Sequence, residues 1–173
     1  MNDTPLDLYS LPQAQWSVSQ WFNTPESLRL DQFKGRVVVV GAFQMLCPGC
    51  VVHCIPQLKK LHELSRRLPL AVIGLHTVFE HHTAMQPHAL EAFIHEYRLG
   101  FPVGVDASSD GGNRIPQTMA AWQLRGTPST LVFAPDGALC LHELGHVDDL
   151  ALGAVIGQLL QTTNSSQRGV HSD

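Results

Sequence analysis

Basic charge is scarce in this chain. Eleven Lys and Arg stand against 15 Asp and Glu in 173 residues, a formal net charge of −4. No basic cluster exceeds Lys59-Lys60 or Arg66-Arg67, so the phosphate-neutralising surface of a nucleic-acid binder is not expected. Long apolar runs are missing too: none approaches the roughly 18 residues of a membrane span. The first sixteen residues carry Asp3 and Asp7 and lack a basic n-region and an apolar h-region, so they do not read as a signal peptide. A cytoplasmic location is expected, or a periplasmic one if a native leader or anchor is absent from this sequence. Cysteine is limited to four residues, and only Cys47 and Cys50 form a CxxC. Zinc usually takes a second ligand pair at set spacing, and covalent haem attachment would need His where Val51 stands. No metal or other cofactor is expected.

What the chain does have is apolar content: 44% of its residues are hydrophobic, enough for one domain with a sizeable core. The run Val37-Val38-Val39-Val40-Gly41-Ala42-Phe43 reads as a central strand buried on both faces. Cys47-Pro48-Gly49-Cys50 follows it, and a helix-like pattern opens after that. A strand that delivers two thiols to the first turn of a helix places them among unpaired N–H groups at the positive end of the dipole, which favours a thiolate. Residues three apart in such a turn are close enough for a disulfide. This is the chemistry of a dithiol–disulfide switch, with Cys47 as the attacking thiol and Cys50 as the one that resolves the mixed disulfide.

Residues 16–23 and 27–33 read as an N-terminal extension, a hairpin ahead of the Lys34-Gly35 turn. The helix after the motif is expected to run to about Leu68, with Pro56 bending it. Leu70 to Leu75 is a second buried strand. Ala89, Leu90, Phe93, Ile94 and Tyr97 follow helical spacing between Pro87 and Gly100, and Phe101 to Val105 is a short strand. Residues 108–113 read as a flexible loop. Leu131-Val132-Phe133 and Ala138 to Leu144 flank the hairpin turn Pro135-Asp136-Gly137. Asp148 or Asp149 caps a final helix through Leu160. The organisation expected is an extension over 1–20, a domain over 21–161 and a disordered polar tail over 162–173. The fold class is α/β, a mixed central sheet with helices on both faces.

The strand–CPGC–helix unit, Gly126-Thr127-Pro128-Ser129-Thr130 and the Pro135-Asp136-Gly137 hairpin together resemble the thioredoxin-fold redoxins, most closely the TlpA-like branch bordering on the AhpC/TSA peroxiredoxins. The resemblance implies a thioredoxin-like fold and a thiol–disulfide oxidoreductase acting on protein or small-molecule thiols and disulfides, with a thioredoxin-type electron donor. It implies that the Thr127-Pro128 bond is cis, lies beside the dithiol and engages substrate. Leu46 stands where the family often carries Trp, and Pro56 falls six residues after Cys50.

Two other functions stay open at this stage. A thiol peroxidase would use Cys47 or Cys50, with Arg125 in place of the peroxide-binding arginine. Matched onto Cys50, however, the peroxiredoxin proline and threonine positions hold Phe43 and Cys47. A metal-binding module would draw on Cys47, Cys50, His53 and Cys54, with His142 or His146 more distant. Cys54 reads mainly as a small core residue and alternatively as a third thiol; Cys140 has no role that the sequence reveals. TlpA-like relatives often carry an acidic residue just past the second strand, and Glu80 matches it. A partly buried carboxylate there would raise the pKa of a nearby thiol and relay a proton. His76, in the same segment, would act in the opposite sense if protonated.

Overall fold

Residues 15–109 and 114–168 are described by the structure, a computed structural model, with side chains to 161 in the last helix. Of the expected loop 108–113, residues 110–113 lie outside the described part, as do 1–14 and 169–173.

Six strands form one mixed sheet. They are β1 (Val18–Phe22), β2 (Val37–Phe43), β3 (Leu70–His76), β4 (Val103–Asp106), β5 (Ser129–Phe133) and β6 (Leu139–Leu144), in the order β1-β4-β3-β2-β5-β6. β2 runs parallel to β3, from Val37 opposite Leu70 to Phe43 opposite His76, and antiparallel to β5. Central strands covered on both sides need apolar residues at every position, which is why β2 and β3 read as continuous runs.

Alternation then divides each strand between two cores. Val37, Val39 and Phe43 pack with Leu58, Leu90 and Leu152, which come from α1 (Ile55–Leu64), α2 (Pro87–Glu96) and α4 (Asp149–Arg168). Val38, Val40 and Ala42 face the other side, with Trp16, Met119 and Trp122 around the short α3 (Gln117–Ala121). Gly41 brings α1 down onto the sheet: a Cβ there would sit 2.5 Å from Leu58 Cδ1.

Asp106 joins the end of β4 to α3. Its carboxylate accepts the Thr118 and Met119 N–H groups and the Thr77 hydroxyl, at 2.8–2.9 Å. Burial raises its pKa, and these donors oppose the shift. At the other end of the chain, Asp148 Oδ1 accepts the Leu150 and Ala151 N–H groups and caps α4.

Three expectations need correction. The segment read as an extension over 1–20 enters the fold before residue 20, because β1 pairs antiparallel with β4, Trp21 opposite Gly104. Trp16 is buried, with its ring 5.5 Å from that of Trp21 and 6.2 Å from that of Trp122; the area these aromatics bury anchors the segment. The second half of the expected hairpin is instead a 3₁₀ turn, Leu30–Phe33, closed by the Arg29 N–H donating to Gln32 Oε1 at 2.7 Å. Finally, α4 continues through residues expected to be a disordered tail, as far as Arg168. Extending an existing helix costs far less than starting one, and no Gly or Pro interrupts the chain between Gly157 and Gly169.

The helix after the motif also differs in detail. α1 ends at Leu64, short of Leu68, and is preceded by a π-helical turn over Cys50–Cys54 in which the Ile55 N–H reaches the Cys50 carbonyl. Pro56 has no N–H to give the carbonyl four residues back, and its ring crowds that carbonyl. The wider turn accommodates it.

Candidate active site

Because β2 and β3 are parallel, Phe43 and His76 end at the same edge of the sheet. β5 begins there from the opposite direction, with Ser129 opposite Ala42. Three connections therefore converge on one edge: the CPGC segment, the bend after β3, and Gly126-Thr127-Pro128. The Thr127–Pro128 peptide bond is cis. A Cβ on Gly49 would lie 3.4 Å from Pro128 Cδ, so the proline ring packs directly against the Pro48-Gly49 turn.

Cys47 occupies the position just outside the helix and Pro48 the first helical one, where a missing N–H costs nothing. The Cys50 N–H, an orphan of the helix start, donates to Cys47 Sγ at 3.4 Å. The Cys47 thiol in turn approaches the Thr127 carbonyl oxygen at 3.6 Å. Cys47 is half-buried and Cys50 is 0% exposed. Burial first, then the neighbouring Cys47, drives the Cys50 thiol far above the usual cysteine range. Both cysteines are free thiols.

Gln44, missed from the sequence, ties the edge together. It is 1% exposed; its Oε1 accepts the Phe79 N–H at 3.3 Å and its Nε2 donates to Thr127 Oγ1 at 3.4 Å. One amide thus links all three connections. The signal available was a lone amide directly after seven apolar residues.

His76 is 1% exposed. Its Nε2 accepts the Met45 N–H at 3.4 Å, which places the ring hydrogen on Nδ1, an atom with no partner among the described residues. Burial pulls its pKa down to about 4, so the ring is neutral near pH 7 and supplies no charge to the thiols.

The remaining expected site residues are more dispersed. Cys54 is buried in the apolar core with its thiol pushed up to about 12 by desolvation, as fits a small core residue. Glu80 is exposed on the bend after β3 and makes no hydrogen bond to either cysteine; the partly buried carboxylate expected from its position is not found. Bends that leave a sheet edge keep charged groups in water unless a partner meets them. Arg125 is exposed and its charge acts on His142. His53 is exposed with its ring 4.7 Å from that of His146. Among the described residues no three His, Cys, Asp or Glu side chains come together as a metal site. No helix among them is long and apolar enough to cross a membrane.

A mixed sheet with a two-thiol turn at a helix start, facing a cis-proline segment, defines a thioredoxin-like architecture. The solved structures agree. A thioredoxin-like superfamily protein is 51% identical over 84% of this chain and 94% of its own, with a TM-score of 0.79. A thiol–disulfide isomerase from Corynebacterium glutamicum is 45% identical over 87% of this chain and 97% of its own, with a TM-score of 0.82. NHL repeat-containing protein 2 of Gallus gallus is 28% identical over 130 residues, 73% of this chain, and the chain spans 16% of that relative's length. No family model matches. The chain belongs to the thioredoxin-like superfamily, within its thiol–disulfide oxidoreductases.

Proposed function

We propose that Cys47 and Cys50 form the working dithiol and reduce or exchange disulfides in protein or small-molecule substrates. The observation that carries this reading is the asymmetry at the helix start. Cys47 is half-buried and its sulfur accepts the Cys50 N–H, whereas Cys50 is shielded and its thiol resists ionisation. The accessible sulfur is the one that a substrate disulfide can meet. Cys47 attacks the substrate disulfide, its sulfur bonds to one substrate sulfur, and the other leaves as a thiol after taking up a proton. Cys50 then attacks Cys47 and frees the second substrate thiol.

Around Cys47 the surface offers a half-exposed Thr127 and an exposed Leu46, 56% accessible, which suits an extended, partly apolar substrate segment lying against Thr127-Pro128. A thioredoxin-type protein in the cytoplasm is the electron donor that fits this reading. The test is consumption of a protein disulfide by wild-type protein, Cys47→Ser and Cys50→Ser. Cys47→Ser is inactive, and Cys50→Ser accumulates a covalent adduct that a small thiol releases. Full activity in Cys47→Ser overturns the reading.

A further inference from the structure

Gln44 is a polar side chain at the end of a strand whose seven residues are all buried and apolar. Its geometry constrains a second group. The Phe79 N–H can only donate, so the atom that meets it is Oε1, and this contact fixes which end of the amide is which. Nε2 is then the end that faces Thr127, and it donates to Thr127 Oγ1 at 3.4 Å. The hydroxyl acts as acceptor in that bond, so its own hydrogen is directed to another atom. The rest of Thr127 already stands at the dithiol, because its carbonyl oxygen lies 3.6 Å from Cys47 Sγ. The Gln44 backbone first, and then the Thr127 side chain, act on Cys50 in the direction of the thiolate, against the burial that raises this thiol.

We propose that Gln44 is a positioning residue for the second chemical step, holding the Thr127 hydroxyl as a hydrogen-bond donor to the Cys50 sulfur while that sulfur is a thiolate. The inference rests on Cys50 being the resolving thiol. In that step the Cys50 thiolate attacks Cys47 of the mixed disulfide. The Cys47–Cys50 bond forms and the bond from Cys47 to the substrate sulfur breaks. The departing substrate sulfur keeps the electron pair and takes up the proton that Cys50 gave up. Across both steps the two cysteines lose two electrons and the substrate disulfide gains two. The Thr127 hydroxyl transfers no proton; it stabilises the charge that Cys50 must carry in an apolar site.

A neutral donor acts here where the expected carboxylate does not. Glu80 is at the surface and His76 is neutral, so among the groups at this sheet edge the donors available to a buried sulfur are hydroxyl and amide hydrogens. Gln44 keeps one of them aimed.

The experiment uses 5,5′-dithiobis(2-nitrobenzoate) as the disulfide, in a Cys140→Ser background because Cys140 is exposed. Rapid mixing with reduced protein releases one aromatic thiolate when Cys47 attacks and a second when Cys50 resolves. For Gln44→Met the first phase is unchanged and the second slows about tenfold at pH 7, its pH midpoint moving up by about one unit. Thr127→Val shows the same shift, Thr127→Ser, which keeps the hydroxyl, retains the wild-type second-phase midpoint, and Gln44→Met with Thr127→Val is no slower than the slower single variant. A second-phase midpoint unchanged in both Gln44→Met and Thr127→Val, or effects that add, overturns the inference. Cys50→Ser serves as the separate check: a second phase that survives in it removes Cys50 as the resolving thiol, whatever Gln44 does.

Discussion

The segments that leave β2 and β3 emerge side by side from one sheet edge and have opposite characters. The segment after β3 carries Glu80, His81 and His82, the densest run of titratable groups near the edge, and Glu80 and His81 are exposed. The segment after β2 carries no charged side chain between Gln44 and Cys50, yet it holds the buried amide, the half-buried Cys47 and the shielded Cys50. On the reading proposed above, chemistry at this edge is governed by burial and by hydrogen-bond donors that carry no formal charge. A charge in water is screened, whereas a dipole held in an apolar site acts at full strength.

The largest effect that sharpens this contrast is at the dithiol. Cys47→Ser brings disulfide reduction down to background, measured by insulin reduction with a chemical reductant. Cys50→Ser leaves the first attack intact and arrests the adduct, read as a stable mass increase.

His76 belongs to β3 but turns inward, and it gives the next effect. Its folded pKa of about 4 lies below the ordinary 6.5, so the unfolded chain takes up the proton first. The fold therefore loses stability as pH falls from about 6.5 to about 4, on the order of 3 kcal/mol in total, and no more from this group below that. Urea titrations at pH 7 and pH 4.5 measure the loss. His76→Gln flattens this part of the profile; an unchanged slope would mean that His76 is accessible to protons in the fold.

Gly41→Ala probes the packing that puts the end of β2 in place. Its methyl group would meet Leu58, which is 2% exposed and has little room to move. A destabilisation of about 1–3 kcal/mol is expected from denaturant midpoints. At the small end, Glu80→Gln leaves the thiolate titration and disulfide-exchange rates superimposable on wild type. A shift of the Cys47 titration in that variant would break the contrast between the two segments.

The sequence made the scaffold of this site legible because buried parallel strands leave an unmistakable pattern. Val37–Phe43 and residues 70–75 appear as apolar runs, and turn chemistry marks Pro135-Asp136-Gly137. Cys47, Cys50 and Thr127-Pro128 could be named from motif and resemblance, although 80 residues separate Cys47 from Thr127. The details that escaped depend on partners remote in sequence. Gln44 looks like an interruption until Phe79 and Thr127 meet it. Glu80 has the residue type and position of a site carboxylate, but only the path of the bend decides which way it faces. Trp16 and β1 join the fold through Trp122 and β4, about a hundred residues away, and no local periodicity announces that pairing. Pro56 announced a disturbance in its helix, but not that the disturbance would be a π turn beginning at Cys50.

The account stands most directly on the unequal accessibility of two thiols three residues apart. Reduced protein is given a brief, limiting pulse of iodoacetamide at pH 7, and fragment spectra locate the label on the peptide that carries Cys47 and Cys50. Cys47 is modified first, and Cys50 stays free until the protein is unfolded. Labelling of Cys50 ahead of Cys47 would contradict the assignment of both roles.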